Sequence, residues 1–225
     1  MALPLIRALQ PDLIISASFP YRIPPEIYAL ARLGAVNLHP SLLPAYRGPN
    51  PLRSIYDGVP LAGATLHWID EDFDTGRILC QQAIELPDAL SMGWFGSTWM
   101  ATLAATLAEG VRRAITGEPG EVQDQTGASY GARFAEAEYW LDWELPGRRL
   151  HQQCFALAVG GEHGMDPRAR IAGLTYAIRQ VTPLPVGQTG HASGSLIDQD
   201  AEGLIVACTD GAVRVVVAPL ADDGA

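Results

Sequence analysis

Asn37 and His39 stand one residue apart at the end of an apolar run, Leu33 to Val36. In a β-strand residues i and i+2 project from the same face, so an amide and an imidazole would stand side by side. The run then breaks into Pro40-Ser41-Leu42-Leu43-Pro44-Ala45-Tyr46-Arg47-Gly48, where two prolines and a glycine force an irregular loop. A second polar loop, Asp70-Glu71-Asp72-Phe73-Asp74-Thr75-Gly76, follows another strand-like alternation. An amide, an imidazole and a carboxylate are parts that suit acyl-group transfer: the amide for a developing oxyanion, the other two for moving protons. Each alone says little. Asn-x-His can be a strand-end pair satisfied by backbone groups, Asp-Thr-Gly is a common turn, and Arg47-Gly48 can be a solvated turn.

The elements that must position these groups follow from hydrophobic pattern. Asp12 to Phe19 reads as a buried strand, Glu26 to Leu33 as a helix opened by Pro24-Pro25, and Ala35 to Leu38 as the next strand. Pro51 to Tyr56 reads as a helix, Ala64 to Ile69 and Arg77 to Ile84 as strands, and Ser97 to Ile115 as a helix ended by Gly117. Strands alternating with helices predict a parallel-rich α/β sheet, whose ligands bind at the carboxyl ends of strands. Gly117 to Tyr130 is turn-rich and polar and reads as a linker. Beyond a helix running into Cys154 and Ala158, short strands at Ala172 to Val181, Gly194 to Ile197, Gly203 to Cys208 and Ala212 to Val217 predict a small β-barrel or sandwich.

Composition narrows the function classes. A net charge of −10 over 225 residues lacks the broad positive field of sequence-independent nucleic-acid binding, leaving only local groups such as Arg168, Arg170 and Arg179. No apolar run reaches the roughly 18 residues that span a bilayer, and the first ten residues do not read as a signal peptide. Cys80, Cys154 and Cys208 show neither metal spacing nor a disulfide framework and read as reduced thiols in a cytoplasm. His67, His151, His163 and His191 read as structural histidines, although His67 shares an alternating strand with Thr65 and can approach the site.

Taken in order, Asn37-Leu38-His39, Ser41-Leu42-Leu43-Pro44, Arg47-Gly48 and Asp74-Thr75-Gly76 resemble the signature of the 10-formyltetrahydrofolate-dependent formyltransferases. The resemblance continues through Pro11-Asp12-Leu13, Pro119 to Tyr130 and Leu141-Asp142-Trp143, and the layout is similar to the methionyl-tRNA formyltransferases. It implies a partial Rossmann-like α/β domain with a mostly parallel sheet over residues 1–118, a linker over 119–140 and an OB-like β-barrel over 141–225. Asn37, His39 and Asp74 match the family's catalytic trio. Ser41, Leu42, Leu43 and Pro44 match a folate-contacting loop. Tyr21, Arg22 and Ile23, with Asp70, Glu71 and Asp72, match backbone segments that hold the pterin. The implied co-substrate is 10-formyltetrahydrofolate, with no metal.

The implied chemistry is attack of a primary amine on the formyl carbon. Asn37 and a protonated His39 would stabilise the oxyanion, and Asp74 would favour the imidazolium and help pass the proton. The implied partner is initiator tRNA in the cytoplasm, with the methionyl amine as acceptor. An amino sugar or other small amine, hydrolysis of the formyl folate, and a non-catalytic folate- or partner-binding remnant stay open beside it. Family members begin with a longer Rossmann-like half, whereas about ten residues precede Pro11 here. The expectation is therefore a chain short of its N-terminal strands, or one that covers the exposed Asp12 to Phe19 edge by oligomerising.

Overall fold

The computed structural model describes residues 2–19, 21–162 and 165–218. The chain divides into one compact unit of residues 1–54, 60–86 and 92–132, and a second of 55–59, 87–91 and 133–225.

In the first unit, helix α1 (Ala2–Leu9) leads to strand β1 (Ile14–Ala17), helix α2 (Pro25–Tyr28) and strand β2 (Ala35–His39). The helix expected from Glu26 to Leu33 stops early. Beyond it, Arg32 and Leu33 donate their backbone N–H groups to the Pro11 and Asp12 carbonyls instead of continuing the helical ladder. After the proline-bounded loop come helix α3 (Arg53–Asp57), of which residues 55–57 count with the second unit, strand β3 (Leu61–Trp68) and strand β4 (Ile78–Glu85). Helix α4 (Met92–Trp94) passes through a π-helical turn, Phe95–Trp99, into the long helix α5 (Met100–Ile115).

The sheet order is β1-β2-β3-β4. The α/β class is as expected, but the sheet is not mostly parallel. β1 and β2 pair parallel, whereas β2–β3 and β3–β4 pair antiparallel. For the β3–β4 pair the reason lies in the connection, residues 69–77. It is too short for a parallel crossover, which takes a dozen or more residues. β2 and β3 are buried along almost their whole lengths. Helix α5 covers them with Thr102, Thr106, Gly110 and Ala114, buried at every fourth residue, so one helical stripe faces the sheet. Val36, Leu38, Ala64, Leu66, Leu79 and Ala114 form the core beneath it. The stretch 117–130, whose composition reads as a linker, lies on this first unit. Glu121 and Ile78 exchange both backbone hydrogen bonds at 2.8 Å, and Tyr130 bridges Arg47.

In the second unit, helix α6 (Gly147–Gly160) packs on a five-stranded antiparallel sheet of order β5-β6-β9-β8-β7. The strands are β5 (Arg168–Ile171), β6 (Leu174–Pro183), β7 (Leu196–Asp200), β8 (Gly203–Cys208) and β9 (Gly211–Ala218). The strand expected over Ala172 to Val181 is β6, starting two residues later, and β5, which the pattern does not predict, pairs with it as a hairpin. Its turn, Ala172-Gly173, has both residues at positive φ, which matches the twist of the flanking strands. Leu150, Cys154, Ile171, Ile178, Val206 and Val215 belong to a separate core. His151 is a core histidine: Nδ1 donates to the Val181 carbonyl at 2.6 Å and Nε2 accepts from the Leu90 N–H at 2.7 Å. His191 is exposed, and His163 lies outside the described residues.

Candidate active site

The antiparallel register between β2 and β3 builds the site. Asn37 faces His67 across the strands and His39 faces Thr65. Side chains of directly opposed residues share a face, so two imidazoles, an amide and a hydroxyl come together. The turn after β3 then delivers Asp74 into this group. Its φ of 57° is left-handed, a conformation Asp tolerates better than most residues. Gly76 permits the turn, because a Cβ there would collide with the Trp68 carbonyl.

Asp74 is buried and touched on both oxygens. Oδ1 accepts from Asn37 Nδ2 at 3.1 Å and lies 3.3 Å from His67 Nε2. Oδ2 accepts from the Gly48 N–H at 2.8 Å and lies 3.5 Å from His39 Nδ1. Gly48 sits at φ 95° against the Tyr130 ring, so a side chain there would displace the donor. Burial alone would raise the Asp74 carboxyl. Hydrogen bonding to His67, the His39 charge and the Gly48 N–H outweigh it and hold the group at about 2.

His39 is shifted by the opposite balance. A carbonyl oxygen can only accept, so the 2.7 Å contact with Tyr46 O places a proton on Nε2. Nδ1 then faces Asp74. Burial lowers the imidazole's pKa, and the Asp74 charge and the Tyr46 carbonyl recover only part of that shift. At neutral pH His39 therefore rests uncharged, with Nδ1 open to a proton. His67 donates from Nδ1 to the Trp68 carbonyl at 2.8 Å, and its Nε2 lies 3.3 Å from Asn37 Nδ2. With Nε2 bare it accepts from Asn37; with a proton there it donates to Asp74. The cluster can thus hold and pass a proton beside a fixed carboxylate, with an amide at its edge.

The expected trio, Asn37, His39 and Asp74, is brought together. The expected folate loop is placed beside it but built inward. Ser41 is buried, donating from Oγ to Ala45 O at 2.7 Å and accepting at its carbonyl from Thr65 Oγ1 at 2.7 Å. Leu42 lies over Gly63. Leu43 is buried, its N–H reaching Thr65 Oγ1 at 3.2 Å and its carbonyl Gln81 Nε2 at 2.9 Å, and the Leu43–Pro44 peptide is cis. Tyr21, Arg22 and Ile23 leave the end of β1, which runs parallel beside the end of β2. Tyr21 is exposed and stacks edge-on against Phe19. Asp70, Glu71 and Asp72 are exposed, and Asp70 ties its own turn through Thr75 Oγ1 at 2.6 Å. The sequence pattern lets His67, beside Thr65, approach the site but does not count either among its residues, and it gives no sign of Gln81 or Gln123. The available signal was the alternation Thr65-x-His67, which becomes decisive only once β3 is known to run antiparallel to β2. Among the described residues no group of three or more His, Cys, Asp or Glu side chains could hold a metal ion, and no helix is long and apolar enough to cross a membrane.

A mixed sheet thus carries a buried amide–imidazole–carboxylate cluster at a strand end. Residues 2–93 match the family described as formyl transferase, and this part of the chain belongs to that family. It is 37% identical over 155 residues to a methionyl-tRNA formyltransferase of Syntrophomonas wolfei, a match covering 68% of this chain and 49% of that protein. It is 32% identical to the methionyl-tRNA formyltransferase of Aromatoleum aromaticum, covering 93% of this chain and 65% of the relative. The chain thus spans 49% to 65% of the length of these curated relatives. Among solved structures, HypX from Aquifex aeolicus in complex with tetrahydrofolic acid shares the fold with a TM-score of 0.71 at 18% identity, over 95% of this chain and 36% of that one. The sugar 3N-formyl transferase WlaRD does so at 0.70 and 16%, over 94% and 75%.

Proposed function

We propose that this chain transfers a formyl group from 10-formyltetrahydrofolate to a primary amine, the methionyl amine of initiator methionyl-tRNA. The observation that carries the reading is the buried His39–Asp74 pair, 3.5 Å apart, with the Asn37 amide on the same strand face. That donor set fits a formyl donor, since acyl transfer needs one group to move a proton and another to meet charge on oxygen. The folate supplies an activated formyl carbon on a nitrogen leaving group. The choice of tRNA is supported by relatives named methionyl-tRNA formyltransferase that align over 93% of this chain, the second unit included. In this reading residues 1–118 carry the chemistry and residues 119–140 connect them to an OB-like part, 141–225. Ser41 to Pro44, Tyr21 to Ile23 and Asp70 to Asp72 border the folate, and the enzyme works in the cytoplasm in protein biosynthesis.

The protonation of the site favours an order different from the one the sequence suggests. His39 begins neutral and does not begin as a cationic donor. It takes the proton of the attacking amine at Nδ1 as the new carbon–nitrogen bond forms. Asp74 stabilises the resulting imidazolium. Asn37 donates to the formyl oxygen as charge builds on it, a contribution of about 10²–10³ in rate. His39 then returns the proton to the departing folate nitrogen as the old bond breaks, so the protein ends the cycle unchanged.

A transfer assay with 10-formyltetrahydrofolate and competing acceptors tests the reading. Charged initiator tRNA should be formylated in preference to a nucleotide-linked amino sugar and to water. Formylation of the sugar alone, release of free formate alone, or no turnover by folded protein would each replace it with one of the other readings.

A further inference from the structure

The residues 121–130 that cross the first unit reach both loops flanking the site. At their centre Gln123 is buried, and its amide is fully used. Nε2 donates to the carbonyls of Asp74 at 2.8 Å and Gly76 at 2.7 Å. Oε1 accepts from Arg47 Nη2 at 2.6 Å and Nε at 3.2 Å. A side-chain amide offers two donors and two lone pairs, so nothing of this group is left over. Arg47 is followed by Gly48, whose N–H holds Asp74 Oδ2 at 2.8 Å. The bonds therefore close a ring from the Gln123 amide to the Asp74 backbone, the Asp74 carboxylate, Gly48, Arg47 and back. Asp74 is gripped at both ends while it occupies a left-handed conformation that most side chains avoid. The same stretch holds the other wall: Ser129 Oγ accepts from the N–H of Tyr46, whose carbonyl receives the His39 proton.

We propose that Gln123 is a positioning residue for the reaction: its buried amide locks the Asp74 turn to Arg47 and so sets the separation of the Asp74 carboxylate from His39. The inference rests on the formyl-transfer reading for its rate consequence, but its geometric part stands apart from it. Small displacements of a catalytic group cost about 10²-fold per ångström, so a relaxed Asp74 turn acts on turnover more than on folate binding.

The test uses Gln123→Met, which keeps length and removes every hydrogen bond. kcat with methionyl-tRNA should fall by about 10–100-fold with the KM for 10-formyltetrahydrofolate within about twofold. The titratable groups facing His39 are Asp74 and His67. As Asp74 recedes, the His39 imidazole titration followed by NMR should move to lower pH, because Asp74 raises it in the native site. Gln123→Glu keeps the acceptor for Arg47 but turns an oxygen toward the two carbonyls. It should lose kcat similarly, and it decides the matter if the Met variant does not fold. Wild-type kcat in either folded variant overturns the proposal. So does a loss of kcat with the His39 titration unmoved, which marks a purely structural bolt. If the wild type transfers formyl to no acceptor, the functional reading fails, and the NMR titration still decides whether Gln123 sets the His39–Asp74 separation.

Discussion

His39 and Asp74 are shifted in the same direction by different causes, and the shifts can be separated by pH. Asp74 is held at about 2, below its ordinary 3.8. A depressed carboxyl adds stability above its unfolded pKa and loses it as pH falls toward the folded value, here about 2 kcal/mol between pH 5 and 2. His39 is lowered from 6.5 by burial. Below pH 6.5 the unfolded chain binds a proton that the folded chain refuses, so stability again declines with acidity, but in a higher window. Urea midpoints measured across pH should therefore flatten below about pH 4 in Asp74→Asn and just below pH 6.5 in His39→Gln. In the proposed mechanism the same two variants should lose about 10²–10⁴-fold in kcat, measured with methionyl-tRNA at neutral pH, because each removes a partner in the proposed proton transfer. Asn37, His39 and Asp74 were legible in the sequence because their types and order are unusual. The protonation of His39 was not, because burial and the Tyr46 carbonyl decide it.

The elements explain which residues escaped notice. A lone histidine on a strand is most often structural, so His67 reads as one that can approach the site and no more, and a parallel-rich sheet gives it no partner. The antiparallel register places it directly opposite Asn37. Gln123 escaped for a similar reason: polar, turn-rich composition looks the same in a free linker and in a segment pinned along a sheet, and only long-range bonds tell them apart. Strands β2, β3 and β4 and helix α5 were legible because their apolar periodicity is strong, while α2 was overestimated because tertiary backbone bonds captured its last turn. The junction between β3 and the Ser41–Pro44 loop rests on one hydroxyl. Thr65 Oγ1 donates to Ser41 O, and it accepts from Leu43 N and Gln81 Nε2 at 3.2 and 2.9 Å. Thr65→Val keeps the shape and strands those buried groups. It should destabilise the protein by about 1–3 kcal/mol in urea denaturation. Because the loop borders the proposed folate site, the KM for 10-formyltetrahydrofolate should rise more than kcat falls.

On the scale of the molecule the sharpest tension is between an acidic chain and the polyanionic acceptor proposed for it. A net charge of −10 repels tRNA at long range, so attraction must come from local cations at short range. Arg170 is a suitable group: it lies 5.3 Å from the Trp140 ring centre, an arrangement that orders a guanidinium while leaving its N–H edge for phosphate. Arg179 is less suited, since Asp166 already holds it at 2.7 Å. A cation that contacts phosphate weakens binding as salt rises, because each contact releases counterions on association. The kcat/KM for methionyl-tRNA should therefore fall steeply between about 50 and 200 mM salt, whereas slow turnover of a small neutral amine should not. Arg170→Gln should raise the KM for methionyl-tRNA several-fold, reduce the salt slope by about one and leave kcat unchanged. An unaltered slope in that variant would place the tRNA contacts elsewhere on the chain, and a flat salt response in the wild type would count against a nucleic-acid acceptor altogether.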